Sequence, residues 1–498
     1  MQRKLVDPGA FLGRRWPDGG YLVVAMALGA LVASDAGLQI KLLAAALLVF
    51  PLQYLVTKSF EDRSGGLLLW GGVWMLVATG AQEFLHVPLG YMLELTMFGV
   101  APAIALRLWR EMRHDRLLRM ALCLWGAYFA LSLLSSLLGR SQTLPAIWQL
   151  QYNLKWLLMF GLGALIVWGK SPERLWRLIL VHTWWILAAI VALEIAWPGG
   201  HARLFGPPPD LHSNPLLGIG LRYRGPFVHS GNLAIVSGLF AVASMVMVLT
   251  GSGRQWLWYI CAYLGLMLLS GQRQESFAGL LTMGLFMLMY SRRYWFVFAL
   301  ATMLCLPVAL ILLSQLDHLP MQAILAQWGG VDSASALSER AILSVNGTYI
   351  AQSYFPLGSG LGTYGGAGAQ KFDQSLFVEL GFGRYWWFRQ GLFLVDTFWP
   401  SIIAESGFLA AALLLLTFML LWIGLLWRCL QAIRSGGRVA PVLTALGALS
   451  LLLLNSPSSA VLTDPRGAFL LWLLIGCGWR MAAEEGYSLS DLSKTSNV

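Results

Sequence analysis

Apolar stretches long enough to cross a bilayer follow one another along most of this chain. We count about fourteen of them, each close to the roughly 20 residues that a transmembrane helix requires. One polar segment, from residue 314 to residue 400, interrupts the series. The pattern predicts an all-α polytopic membrane protein with about fourteen transmembrane helices and one large loop that carries short helices outside the bilayer.

The same pattern divides the chain into predicted parts. They are an N-terminal segment (1–20), a first group of about eleven transmembrane helices (21–313), the large loop (314–400), a last group of about three transmembrane helices (401–480) and a C-terminal tail (481–498). No charged or Pro/Ser-rich linker separates these parts, so we expect one polytopic unit. The first apolar stretch lacks a persuasive cleavage site and is predicted to remain as a helix.

Composition agrees with a membrane protein. Apolar residues make up 57% of the chain and charged residues only 12%, far below the roughly 25% that is usual in soluble domains. We attribute the net charge of +10 to basic residues retained in cytoplasmic loops, and we expect no nucleic-acid partner. The five cysteines lie inside or at the ends of apolar stretches, so no disulfide framework is predicted.

The basic residues also predict the orientation. Those before the first apolar stretch place the N-terminus in the cytoplasm. When spans are counted alternately, the same side receives the basic groups at Lys58 and Arg63, Arg107 to Arg119, Lys170 to Arg177, Arg254, Arg292 and Arg293, Arg428 to Arg438, and Arg480. The C-terminus is then also cytoplasmic, and the large loop faces the outer side.

A few arginines fall on the outer side against this bias. They are Arg222, Arg224, Arg273 and Arg340. A guanidinium at the end of a helix bundle is costly unless an anion partners it, and a lipid-linked phosphate or diphosphate is the natural anion at that depth. The alternative is structural, with the arginines paired to Glu275, Glu339 or Glu405 or extended towards the headgroups.

The large loop contains closely spaced glycines, Gly358, Gly360 and Gly362. They allow a backbone to approach a ligand closely, and simple turns explain them equally well. No strand is expected before them and no Gly-Lys-Ser follows, so they do not form a nucleotide-binding fingerprint. The aromatic residues in Phe382–Arg389 are predicted either to stack on sugar rings or to lie at the membrane interface.

Three outer groups are candidates for proton transfer. Asp396 and Glu405 flank the return to apolar sequence, and His229 follows Arg224. Glu405 has the alternative of pairing with an arginine or capping a helix, and His229 that of an interfacial histidine. The chain lacks metal-ligand spacings, so no metal and no cofactor is predicted. A packing or lipid-access role is predicted for the scattered intramembrane charges Glu94, Glu194, Lys41 and Lys155.

The order of these motifs resembles the O-antigen polymerase and ligase superfamily. The motifs are Arg-Gly-Pro-Phe-x-His-x-x-Asn, a Ser-Gly-x-Arg turn, a distant arginine in a large outer loop, Pro-Leu-Gly-x-Gly and a closing Glu-x-Gly. The resemblance covers roughly Arg222 to Leu409, and the other spans agree with the superfamily only in hydropathy.

The resemblance implies a GT-C-like, inverting, metal-independent glycosyltransferase of the bacterial inner membrane. Its donor would be an undecaprenyl-diphosphate-linked oligosaccharide on the periplasmic side, and a chain-length-regulating copolymerase and a flippase are candidate partners. By position, Arg273 and Arg340 would contact the diphosphate. Arg224 and His229 lie in the first motif, and Glu405 in the closing one.

Ligases of the superfamily typically carry a His-Asn pair nine residues before the closing glutamate, where this chain has Asp396-Thr397. The chain therefore looks more like a polymerase that joins repeat units into an exopolysaccharide, capsule or O-antigen. The hypothesis is direct displacement at an anomeric carbon, with Asp396 as the first candidate base. Two alternatives stay open, a ligase that transfers glycan to lipid A core or protein, and a lipid-linked oligosaccharide flippase. The lack of an internal repeat argues against the flippase.

Overall fold

In this computed structural model, the structure describes residues 99, 101–165, 172–206, 221–290, 339–435, 439–457, 459–463 and 468–495. It is all-helical, with 81% helix, and the described residues contain no strand, which confirms the all-α prediction. The spans predicted before residue 99 and the first part of the large loop, to residue 338, lie outside the described residues.

We number the described α-helices in chain order. They are α1 (Ala101–His114), α2 (Arg116–Leu138), α3 (Thr143–Leu165), α4 (Pro172–Ala196), α5 (Pro198–Phe205), α6 (Ser230–Leu249), α7 (Trp256–Leu269), α8 (Arg273–Tyr290), α9 (Glu339–Ser353), α10 (Ala367–Phe372), α11 (Ser375–Glu379), α12 (Trp386–Arg389), α13 (Trp399–Ser435), α14 (Val439–Asn455) and α15 (Ala468–Thr495). Short 3-10 helices occupy Phe382–Arg384 and Ala460–Leu462.

Several of these helices have the length and composition of membrane spans. Among the described residues, four helices are long and apolar enough to cross a bilayer: Arg116–Leu138, Trp176–Ala196, Ser230–Leu249 and Trp399–Arg434. Shorter apolar helices occupy Trp256–Leu269, Val439–Asn455 and Ala468–Ala482. These helices suggest a membrane protein, whereas the count of about fourteen spans and the orientation stay predictions.

The apolar helices pack around one continuous core. Helix α2 lies along α13, α3 along α15, and α6 against α7, α8 and α14. At the centre of the core, the ring of Trp156 lies 5.1 Å from that of Phe418 and 5.0 Å from that of Trp472, measured between centroids. Because lipid tails are as apolar as these side chains, close packing rather than exclusion from water holds such helices together.

Asp115 joins three helices at one end of this bundle. Its Oδ1 accepts hydrogen bonds from the backbone N–H groups of Leu117 and Leu118 at 3.1 Å, which caps α2. Its Oδ2 pairs with Arg428 of α13 and accepts a bond from the indole Nε1 of Trp479, in α15, at 2.9 Å. The carboxylate therefore serves both as a helix cap and as a tie between helices that are distant in sequence.

A second acidic residue acts in the same way nearby. Glu111 lies 2.8 Å from Arg107 and 2.9 Å from Arg480, measured between side-chain N and O atoms. Arg107, Arg428 and Arg480 are among the basic residues that the charge pattern predicts on one side. The structure brings these three to the same end of the bundle, and its assignment to the cytoplasm stays a prediction.

The C-terminal helix is longer than the predicted span. Helix α15 runs to Thr495, so the segment 481–498, predicted as a tail, begins in mid-helix. The charge pattern indicates where a chain leaves the apolar layer, which is a different point from the end of its helix.

Residues 339–398, which we call the loop subdomain, have a small core of their own. In this core Tyr364 stacks on Phe377 at 4.8 Å between ring centroids, and its hydroxyl donates to the carbonyl of Leu343 at 2.9 Å. The core also buries Phe382, Trp387 and Phe388. These three rings hold the subdomain together and are not a surface for sugars or lipid headgroups.

Candidate functional site

Charged side chains from separate parts of the sequence, in the loop subdomain, in α8 and before α6, are close enough for their charges to interact. We call this group the charged recess, and it consists of Arg222, His229, Arg273, Glu275, Arg340 and Asp396. Its best-defined contact joins Nε of Arg340 to Oδ2 of Asp396 at 2.8 Å. The positive charges of Arg340 and Arg222 attract the carboxylate of Glu275, and the negative charge of Asp396 repels it. His229 attracts the carboxylate of Asp396, and Arg222 repels Arg273.

The turn between α7 and α8 brings Arg273 to the recess. Gly271 has a φ of 66°, a left-handed conformation that glycine adopts without strain. The side-chain amide of Gln272 donates to the hydroxyl of Ser230 at 2.7 Å, and the backbone N–H of Tyr223 donates to the carbonyl of Leu269 at 3.1 Å. These bonds hold the turn against the segment that carries Arg222 and the start of α6.

Arg222 and Arg273 lie close enough for their charges to interact, and neither forms an ion pair with a carboxylate of the described residues. Both side chains are half-buried, and their like charges repel each other. Among the described residues, neither guanidinium makes a hydrogen bond or an ion pair. Two adjacent positive charges at a bundle end are unfavourable unless an anion joins them, and the planar guanidinium group suits a phosphate.

Arg340 is held in a different way. Its partner is Asp396, and the side chains keep 29% and 34% of their surfaces exposed. From the sequence, three glutamates are candidate ion-pair partners of Arg340, and Asp396 is not among them. Burial among the protein atoms that line the recess raises the pKa of Asp396 above its ordinary value, although Arg340 acts to lower it.

Arg224 is buried and faces the protein interior. Its side chain is 3% exposed, and its guanidinium donates to the backbone carbonyls of Val228, at 3.4 Å, and Gly206. The backbone N–H groups of Arg224 and Gly225 donate to Oε2 of Glu194 at 3.1 and 2.8 Å. The structure therefore places Arg224 in a hydrogen-bonded framework, and Glu194 supports that framework from α4.

The glycine loop, Pro356–Gly362, packs against α13. The N–H of Ser359 donates to the carbonyl of Ala404 at 2.8 Å, and the N–H of Gly360 donates to that of Glu405 at 2.9 Å. These carbonyls are free because α13 is kinked at Gly407, where φ is 86°. Two motifs that the sequence separates by more than forty residues thus form one joint.

Close contact explains why this joint contains glycines. A Cβ atom added to Gly358 would lie 2.5 Å from the carbonyl oxygen of Ala404, and one added to Gly407 would lie 2.8 Å from the carbonyl carbon of Leu357. A Cβ on Gly362 would overlap the carbonyl of Pro145 in α3. The backbone that these glycines allow to come close is that of the protein itself.

Glu405 belongs to this joint. Its side chain is fully buried, and its Oε1 accepts a bond from the backbone N–H of Tyr364 at 3.1 Å. Its Oε2 has no hydrogen-bond partner among the described residues. Its charge acts on Tyr128 of α2. The structure does not bring Glu405 into the charged recess.

Sequence reasoning did not propose Glu275 as a functional residue. It appeared there only as a partner for arginines, yet the structure buries it inside the charged recess, in the first turn of α8. The sequence signal for it was a glutamate two residues after Arg273 in a turn between two apolar stretches. The described residues contain no group of three His, Cys, Asp or Glu that could hold a metal ion.

No protein-family model and no curated protein matches this chain. The resemblance to the O-antigen polymerase and ligase superfamily therefore stays a prediction that rests on the motifs.

Proposed function

We propose that this protein is a membrane glycosyltransferase that polymerises undecaprenyl-diphosphate-linked oligosaccharide repeat units into a surface polysaccharide. The observation that carries the proposal is the arginine pair, Arg222 and Arg273, whose guanidinium groups lack an ion-pair partner among the described residues, beside the ion pair of Arg340 and Asp396. A diphosphate offers one charged group to the arginine pair and a second to Arg340.

The position of the recess suits a lipid-linked substrate. Asp396 lies three residues before the start of α13, and Arg428 lies near the other end of that helix. The part of α13 from its kink at Gly407 to Arg428 alone is roughly 30 Å long, which is about the thickness of a bilayer's hydrocarbon core. The recess therefore lies at the opposite end from the paired basic residues. If that basic end is cytoplasmic, the recess faces the periplasm of a bacterial inner membrane.

The proposed chemistry is one displacement with inversion. A hydroxyl oxygen of one lipid-linked repeat unit attacks the anomeric carbon of the growing chain, and the bond from that carbon to the phosphate oxygen breaks. The lipid diphosphate leaves with the electron pair, and the arginines stabilise the charge that develops on it. A carboxylate of the recess accepts the hydroxyl proton, and Asp396 is the candidate that the sequence favours.

Replacing Arg273 or Arg222 by Ala is expected to slow polymerisation several hundredfold, since a preorganised contact to a leaving group contributes roughly 3 to 4 kcal/mol. The test incubates purified protein with the lipid-diphosphate repeat unit alone, with and without a metal chelator, and resolves the products by gel and mass spectrometry. Arg254→Ala is the matched control, because Arg254 is exposed between α6 and α7, at the other end of α6.

A ladder of repeat units that both recess variants lose and Arg254→Ala keeps would support the polymerase. Transfer of glycan only after a lipid A core or protein acceptor is added would identify a ligase instead. Inertness with both acceptors, together with movement of the lipid-linked substrate across vesicles, would identify a flippase.

A further inference from the structure

The two carboxylates of the charged recess differ in what they bind. Oδ2 of Asp396 already accepts a hydrogen bond from Arg340 at 2.8 Å. Glu275 has no ion pair in the described part of the chain, and no other described residue donates a hydrogen bond to its carboxylate. Its side chain is only 9% exposed. One oxygen of Asp396 is therefore bound to a guanidinium, while the more deeply buried Glu275 has no described donor besides its own backbone N–H.

The surroundings of Glu275 include charged residues of the recess and the start of α6. The charges that act on it are those of Arg340, Asp396 and Arg222. A Cβ atom added to Gly231 would lie 3.4 Å from its Oε1. Since Gly231 has no side chain, Oε1 lies directly beside the backbone at the start of α6.

A buried carboxylate whose one donor is its own backbone N–H is unfavourable, and the N-terminal turn of α8 offsets only part of that cost. A ligand hydroxyl supplies the missing donor, and a hydroxyl bound there lies beside the arginines that would hold the diphosphate. We propose that Glu275 is the catalytic base, which takes the proton from the attacking sugar hydroxyl, and that Asp396 is a positioning residue for Arg340. This inference rests on the proposed function.

The step balances without a further reactant. The hydroxyl oxygen forms its bond to the anomeric carbon while its proton passes to a carboxylate oxygen of Glu275. The carbon–oxygen bond to the diphosphate breaks, and the diphosphate takes that electron pair. Glu275 then releases its proton to solvent before the next unit binds. Asp396 keeps Nε of Arg340 bound throughout, which fixes the orientation of the guanidinium beside the diphosphate.

The test compares steady-state kinetics of Glu275→Gln and Asp396→Asn with the full-length protein on the lipid-diphosphate repeat unit. Glu275→Gln is expected to lower kcat by roughly 100- to 10,000-fold with little change in KM. Asp396→Asn is expected mainly to raise KM, because Arg340 loses its orientation. Glu275→Asp, which keeps a carboxylate one methylene shorter, should recover part of the lost kcat.

Two controls separate chemistry from folding. Binding of undecaprenyl diphosphate by Glu275→Gln should equal that of the wild type, which a misfolded variant would not achieve. Glu379→Gln removes a carboxylate that pairs with Arg140 on the surface, outside the recess, and should keep the wild-type rate.

The outcomes distinguish this inference from the proposed function. A wild-type protein that makes no ladder overturns both. A normal ladder with Glu275→Gln at the wild-type kcat overturns only the role of Glu275. A loss of kcat in Asp396→Asn that equals or exceeds the loss in Glu275→Gln, with KM unchanged, would make Asp396 the base instead.

Discussion

The four arginines singled out in the sequence have three different environments in the structure. Arg222 and Arg273 repel each other without a described partner, Arg340 binds Asp396, and Arg224 bonds to buried backbone carbonyls. The charge pattern predicts that all four are exceptional. It does not predict their different environments, because these depend on how the chain folds around each guanidinium.

Replacing Arg224 and replacing Arg222 should therefore differ in their effects on thermal stability and on polymerisation. Arg224→Ala leaves buried carbonyls without donors, and the loss of a hydrogen bond to a charged group costs about 1.5 to 3 kcal/mol, so its thermal midpoint in detergent should fall. Arg222→Ala should keep or raise the midpoint, since it removes a repulsion with Arg273, while polymerisation is lost. Thermal unfolding and product ladders on the same preparations check both. A stable but inactive Arg224→Ala would place Arg224 at the substrate.

At the scale of elements, the joint between the glycine loop and α13 fixes the loop subdomain on the bundle. The hydroxyl of Ser135, in α2, donates to the carbonyl of Glu405 at 2.7 Å and accepts from the N–H of Gly358 at 3.1 Å. One serine therefore connects a helix, the loop and the kink in α13. Because Asp396 lies three residues before α13, this joint also fixes one side of the charged recess.

Adding a methyl group inside this joint should weaken the whole protein. Gly358→Ala is expected to lower thermal stability by about 1 to 3 kcal/mol, the usual cost of overpacking, because the neighbouring atoms belong to backbone and cannot rotate away. Gly383→Ala is the matched control, since a Cβ there meets nothing within 4 Å. Differential scanning fluorimetry of the two variants tests this, and equal midpoints would show that the joint is loose.

At the scale of the whole molecule, the described bundle has two chemically different ends. At one end, Asp115 and Glu111 pair with arginines from other helices, Arg428 and Arg480. The other end holds the recess, in which neither residue of the arginine pair forms an ion pair with a described residue. The first arrangement stabilises the fold, and the second leaves charge available for a ligand.

Asp115→Ala should consequently affect stability and not substrate binding. It removes the cap of α2 and leaves the guanidinium of Arg428 buried without its carboxylate, which together cost roughly 3 to 5 kcal/mol. The thermal midpoint should fall while KM for the lipid-linked substrate stays unchanged below that midpoint. A raised KM in folded Asp115→Ala would mean that the two ends are coupled.

The sequence predicted the all-α class and the apolar spans because burial in lipid requires helices with long apolar stretches. It also selected five of the six residues of the recess as site candidates, since charges on the outer side are exceptional. It did not select Glu275. It predicted Glu405 beside the arginines, whereas the structure places Glu405 in the joint between the glycine loop and α13. Both differences have one cause, because the direction in which a glutamate points depends on how helices pack against each other, and hydropathy carries no information on that.

The joint also determines how this chain can diverge by mutation. At Gly358 the obstructing atoms are the backbone of Ala404 and Glu405, so no substitution in α13 makes room for a side chain, and selection should keep the glycine unchanged. At Gly366 the obstructing atoms belong to the side chain of Gln149, with Cδ 2.5 Å from the added Cβ. A smaller residue at 149 would open that space and would give up the hydrogen bond that Oε1 of Gln149 accepts from the N–H of Gly368 at 3.1 Å. Positions 149 and 366 can therefore change together at the cost of that bond, whereas position 358 cannot.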